Sequence, residues 1–101
     1  MKAATLCVAA ALLGPAAVMA ADHVVTIEGM QFHPATLTVK AGDRVTWRNL
    51  DLVPHTATAA GVFDSGAIAP GKTWTWTAHA KGSHAYVCTY HLGMKATVVV
   101  E

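Results

Sequence analysis

The chain has 101 residues and a nearly balanced charge, with seven Lys and Arg residues against six Asp and Glu residues. A chain of this length has room for one small domain. Without a strong net charge it has no field that would steer nucleic acid or an acidic membrane surface.

The first twenty residues have the pattern of a secretory signal peptide. A positive start, Met1-Lys2, precedes an apolar run over residues 3–18, and Val18-Met19-Ala20 resembles a cleavage site. The run is shorter than the roughly 20 apolar residues of a membrane anchor, although an uncleaved anchor is the alternative. We therefore expect cleavage of residues 1–20, a periplasmic protein without a membrane anchor, and one domain over residues 21–101.

Cysteine usage indicates a metal in this domain. Cleavage removes Cys7 and leaves Cys88 alone, so no internal disulfide can form. Small secreted domains usually add disulfides or a metal to a core that is too small to stabilise them. A metal ion is the remaining means of stabilisation, and a buried free Cys that packs as a small hydrophobe is the alternative.

Short alternating runs between Gly, Pro, Asn and Asp predict strands and turns throughout the domain. In chain order the predicted strands are residues 23–28, 36–40, 44–48, the run around Trp74 and Trp76, residues 84–88 and residues 96–100. Six or seven such strands predict a β-sandwich or barrel. Side chains alternate along a strand, so Cys88 points inward with Tyr86 at the end of its strand.

The segment Cys88-Thr89-Tyr90-His91-Leu92-Gly93-Met94 places a thiol, an imidazole and a thioether within seven residues. Soft sulfur suits Cu(I), imidazole suits Cu(I) and Cu(II), and a weakly bound thioether completes a redox copper site. His55, after Pro54, supplies a second imidazole from another connection. If a loop after Cys88 brings His91 and Met94 back over the strand end, these four ligands define an electron carrier rather than an enzyme.

Other interpretations of the same residues stay open. Zinc also binds two imidazoles and a thiolate, and Cys88 with His91 as base could form a hydrolase nucleophile, although no oxyanion-hole motif accompanies them. Met94 could simply fill the core. The remaining histidines are expected at the surface rather than in a second metal site; they are His23, His33, His79 and His84.

Motifs along most of the domain resemble the cupredoxins, the small blue copper proteins, and most closely the amicyanin and plastocyanin-like group. They are Phe32-x-Pro34, Leu37-x-Val39-x-x-Gly42-Asp43-x-Val45-x-Trp47-x-Asn49, Pro54-His55, Phe63-Asp64-Ser65-Gly66, Pro70-Gly71 and Tyr86-x-Cys88-x-x-His91-x-x-Met94. The resemblance implies an all-β Greek-key sandwich or barrel of six to eight strands. It also implies one copper ion bound by His55, Cys88 and His91, with Met94 as the axial ligand.

The resemblance further implies a monomer that exchanges electrons with a c-type cytochrome or a periplasmic dehydrogenase. The contact is expected to be weak and apolar, around the exposed edge of His91, with Leu92, Gly93, Val53 and Pro54 forming the patch. A carrier that delivers copper itself is the alternative function. The chain departs from the family at Thr56, where an Asn usually ties the two ligand loops together.

Overall fold

The computed structural model describes residues 19–101, which form nine β-strands and no helix. The strands are β1 Asp22–Glu28, β2 Gln31–His33, β3 Thr36–Val39, β4 Arg44–Asn49, β5 Thr58–Ala59, β6 Phe63–Asp64, β7 Thr73–Thr77, β8 Gly82–Cys88 and β9 His91–Val100. In this part of the chain, therefore, no helix is long and apolar enough to span a bilayer.

Two sheets carry these strands. One has the order β2-β1-β4-β7 and the other has the order β3-β9-β8-β5-β6. Most neighbours are antiparallel, but β1 pairs with β4 and β3 pairs with β9 in parallel. Each parallel pair joins strands that are distant in sequence, so long-range contacts hold both sheets together.

The core lies between the inward faces of the two sheets, and Trp47 is at its centre. Its side chain is fully buried on β4 and donates an indole hydrogen bond to the hydroxyl of Tyr86 on β8, at 3.1 Å. The ring centroid of Phe63 lies 5.1 Å from that of Trp47, and that of Trp74 lies 5.6 Å away. Burial raises the pKa of Tyr86 to about 12, so the hydroxyl stays protonated. This aromatic cluster supports the strand that ends at Cys88.

The predicted all-β sandwich is confirmed, with nine strands instead of six to eight. The additional strands are short: β2 has three residues, and β5 and β6 have two each. The predicted last strand, 96–100, is too short. β9 begins at His91, after a tight turn at Thr89 and Tyr90, so His91 and Met94 lie on a strand rather than in a loop. Of the predicted signal peptide, residues 1–18 lie outside the described residues.

Candidate metal centre

Three of the four predicted ligands converge at one end of the sandwich. One ligand atom from each of His55, Cys88 and His91 lies within 4.8 Å of the other two. The Sγ atom of Cys88 is 3.7 Å from Nδ1 of His55 and 3.9 Å from Nδ1 of His91. Among residues 19–101 this is the one group of three His, Cys, Asp or Glu side chains with such spacing.

These separations fit a single metal ion between the three atoms. Zinc, for comparison, binds sulfur at about 2.3 Å and imidazole nitrogen at about 2.0 Å, so an angle of about 120° at the ion separates the two donors by about 3.7 Å. Two imidazoles and one thiolate in a trigonal arrangement are the donor set of blue copper sites. The donors are therefore arranged for copper, while zinc remains compatible with the same spacing.

His55 is held by the connection between β4 and β5. Its backbone forms an isolated antiparallel bridge with Ile68, through hydrogen bonds of 3.2 and 2.7 Å. The buried side-chain amide of Asn49 braces this connection by donating to the carbonyl groups of Val53 and Ile68, at 2.8 and 2.9 Å. The imidazole of His55 is itself fully buried. This candidate donor is thus fixed by backbone pairing as well as by packing.

Cys88 and His91 close the β8–β9 hairpin and pair directly across it. The register shifts between Val87 and Cys88, a β-bulge that allows side chains of one hairpin to be re-aimed. Cys88 is fully buried, as its alternation with Tyr86 predicts, whereas His91 is open to solvent. The hairpin therefore supplies one buried and one exposed candidate donor.

Thr56 ties the two ligand-bearing segments together. Its backbone N–H donates to Sγ of Cys88 at 3.3 Å, and its hydroxyl accepts the N–H of Thr89 at 2.8 Å. The hydroxyl groups of Thr56 and Thr89 are also 3.1 Å apart, and Thr58 donates its hydroxyl to Thr56 at 3.0 Å. A hydroxyl thus provides the tie at the position where the resemblance implies an Asn.

Met94 is 5% exposed and lines a cavity of about 250 Å³ together with Met30 and Phe32. Its axial role stays a prediction. Of the other histidines, His23 binds the carboxylate of Asp43, and the rings of His33 and His84 bind backbone carbonyl groups. None of these histidines belongs to a metal-binding group among the described residues.

Sequence reasoning missed Asp51. Its Oδ2 atom lies 2.8 Å from Nε2 of His55, so the nitrogen that faces away from Cys88 donates to a carboxylate. The N–H of Met30, chiefly, and the hydrogen bond from His55 hold the pKa of Asp51 below its ordinary value. A carboxylate on the outer nitrogen fixes the tautomer of a metal-binding imidazole and increases its basicity. The local sequence pattern carried no signal for this contact, because an i,i+4 spacing brings side chains together on a helix and not on an extended chain.

With the fold and the three donors in place, the chain can be compared with known proteins. A family model described as a cupredoxin-like domain matches residues 2–100. This chain belongs to the cupredoxin family.

Its relatives include amicyanins and plastocyanins. Amicyanin-alpha of Methylorubrum extorquens is 34% identical over 83 residues, which cover 76% of this chain and 70% of the relative. Chloroplastic plastocyanin of Tetradesmus obliquus is 38% identical over 84 residues, covering 69% of this chain but 58% of the relative's length. A solved Cu(I) form of an amicyanin variant superposes with a TM-score of 0.74 at 33% identity, covering 83% of this chain and 86% of that one.

A larger copper protein shares the fold over part of its length. A copper-containing nitrite reductase from Thermus scotoductus has a TM-score of 0.75 at 25% identity and covers 90% of this chain. Only 26% of the reductase is matched, so the similarity concerns one domain of that protein.

Proposed function

We propose that the protein is a one-electron carrier, not an enzyme, and that it holds a single copper ion through His55, Cys88 and His91. Met94 is the proposed axial ligand. The observation that carries this proposal is the convergence of two imidazole nitrogens and one thiol sulfur within 4.8 Å at one end of the sandwich. Copper supplies the redox chemistry when bound, and the protein supplies donors, orientation and a largely dry environment.

The two buried ligands favour electron transfer over copper delivery. His55 and Cys88 are fully buried and held by backbone pairing, so releasing an ion through them would require the two ligand segments to separate. A site built to pass copper to another protein would need ligands that exchange readily. Of the three proposed ligands, His91 alone is exposed, so its ring offers electrons a path to the surface.

An apolar rim, formed by exposed side chains that neighbour His91 or His55 in the sequence, supports a weak contact with a redox partner. Leu92, which follows the ligand, is 66% exposed, and Leu52, before Pro54 and His55, is 93% exposed. Val53 adds a further exposed apolar side chain. We infer a transient contact of under about 1,200 Å² with a c-type cytochrome or a dehydrogenase, the size that is typical of electron-transfer complexes.

We also infer that the protein is processed between Ala20 and Ala21 and acts in the periplasm as a monomer. The backbone nitrogen of Ala21 lies 3.0 Å from Oδ1 of Asp43, whose carboxylate is almost fully buried. Cleavage at this bond would turn that nitrogen into an ammonium group beside a carboxylate, which adds a charge to an existing hydrogen bond. The mass of the secreted protein tests this, and any other N-terminus contradicts it.

Addition of Cu(II) to the copper-free protein tests the proposed site. We expect an intense blue thiolate-to-copper band with one ion per chain. Cys88→Ser should abolish the band, whereas Met94→Ala should retain copper and change its reduction potential. Zinc serves as the control, since it should compete for the site without producing colour. A wild-type protein that binds Cu(II) without a blue band, or an intensely blue Cys88→Ser variant, would refute the assignment.

A further inference from the structure

We propose that Asp51 is a positioning residue that lowers the reduction potential of the copper centre by presenting a fixed negative charge to the outer nitrogen of His55. This inference rests on the proposed copper-carrier function. Asp51 lies outside the set of proposed ligands, in the β4–β5 connection. Its proposed role is to set the reduction potential of the ion and not to bind the ion.

The carboxylate of Asp51 is held by three N–H donors from two parts of the chain. Its Oδ2 atom accepts from Nε2 of His55 at 2.8 Å and from the backbone of Met30 at 3.0 Å. Its Oδ1 atom accepts from the backbone of Gly29 at 2.8 Å. Because both oxygens are engaged by the β1–β2 turn, the group cannot rotate away from the imidazole without breaking that turn's contacts.

The β1–β2 turn is shaped to hold this carboxylate. Glu28 pairs with Gln31, so Gly29 and Met30 form a two-residue hairpin loop. Their φ angles are 62° and 61°, which is the left-handed conformation of a type I′ turn. Met30 is the one non-glycine residue in the described chain with positive φ, and its side chain makes that conformation unfavourable. Strained backbone of this kind persists where surrounding contacts enforce it, and here Asp51 receives both N–H groups.

The sign of the effect follows from the charge of the ion. A carboxylate on Nε2 makes Nδ1 a stronger donor, and a dication gains more from this than a monocation. The imidazole of His55 is fully buried and the side chain of Asp51 is 16% exposed, so salt and water screen the interaction less than at the surface. Asp51 therefore favours Cu(II) over Cu(I) and lowers the potential relative to a neutral hydrogen-bond acceptor.

Asp51→Asn in the copper-loaded protein tests the proposal, because it removes the charge with little change in shape. Substitution of an outer hydrogen-bond partner typically changes metal affinity by about 10–100-fold. We expect the preference of the site for Cu(II) over Cu(I) to fall about tenfold. This change raises the one-electron reduction potential of the copper by about 59 mV. Asp51→Glu, which keeps the charge, should remain closer to the wild type. Asp22→Asn is the matched control for loss of charge. Asp22 lies at the start of β1, about 20 Å along the strand from Glu28, and the turn that binds Asp51 follows Glu28.

The outcomes separate this inference from the proposed function. A blue Asp51→Asn protein whose potential is no higher than that of Asp22→Asn would overturn the role of Asp51 and leave the copper site intact. A wild type that never turns blue would instead remove the proposed function. If Asp51→Asn fails to fold, proton NMR of the wild-type Cu(I) protein decides: a downfield-shifted Nε2 proton on His55, as a hydrogen bond to a carboxylate produces, supports the proposal, and an ordinary shift refutes it.

Discussion

The hydroxyl of Thr56 links the two ligand-bearing segments, and its removal should weaken the fold measurably. Thr56→Val keeps the shape of the side chain and the backbone N–H that donates to Cys88. It removes the acceptor for the N–H of Thr89, which lies 2.8 Å from the hydroxyl of the almost fully buried Thr56. The hydroxyl of Thr58 loses one of its two partners and retains Asp64.

An unsatisfied buried donor costs about 1–3 kcal/mol. Thr89 lies at the surface and water can partly replace the lost partner, so we expect about 1–2 kcal/mol, within the lower part of that range. For a domain of this size each kcal/mol lowers Tm by about 4–8 °C. Thr56→Val should therefore melt about 4–16 °C below the wild type.

Thermal unfolding of the copper-free protein is the appropriate assay, since bound metal would add a concentration-dependent stabilisation of its own. Thr75→Val is the matched control. It breaks a 2.7 Å hydroxyl pair with Thr46 on the exposed face of the first sheet, where a substitution should change stability by no more than about 0.5 kcal/mol. Thr56→Asn, which restores a polar side chain, should recover most of the loss. If Thr56→Val has the same Tm as the Thr75→Val control, the hydroxyl does not tie the segments together.

Leu92→Glu should slow electron exchange with a cytochrome and leave the copper spectrum unchanged; unchanged kinetics would show that electrons do not leave past this rim. The N–H groups of Ala21 and Lys40, with His23, hold the pKa of Asp43 at about 2. A carboxyl group whose pKa is depressed by folding stabilises the fold at a pH above its pKa in the unfolded chain, which is about 3.9 for Asp. This contribution is lost as the pH falls towards about 2. Asp43→Asn should therefore flatten the acid-unfolding profile between about pH 4 and pH 2, and a profile as steep as that of the wild type would contradict this.

The alternation of apolar and polar residues was sufficient to predict most of the long strands and their buried faces. Val45 and Trp47 alternate with polar residues and are both fully buried on β4, and Tyr86 and Cys88 share the inner face of β8. The two-residue strands at Thr58–Ala59 and Phe63–Asp64 carry no period, because a pair of residues cannot alternate. The start of β9 was missed for a related reason: its first three residues are all exposed, so nothing in their pattern distinguishes a strand from a loop.

The ligand positions followed from residue types and spacing, but the contact between Asp51 and His55 did not. Four positions separate the two residues, a spacing that brings side chains together on a helix but not on an extended chain. Here the segment between them reverses direction. The N–H groups of Gly29 and Met30, which are 22 and 21 positions away, donate the remaining hydrogen bonds to the carboxylate. Such a contact depends on how two connections pack at one end of the sandwich, and local pattern does not encode that packing.

Two independent networks hold the ligands, and their separation bears on electron transfer. The threonine hydroxyls connect Cys88's hairpin to the segment after His55, whereas Asn49 and Asp51 hold His55 from behind through β1 and β4. Both networks are formed by donors and acceptors that the ligands' neighbours provide, so they need not rearrange when the charge of a bound ion changes by one. An ion bound here would meet donors of nearly constant spacing in both oxidation states. A constant geometry of this kind lowers the structural cost of gaining or losing an electron, and this cost limits the rate at which such a centre can exchange electrons with a partner.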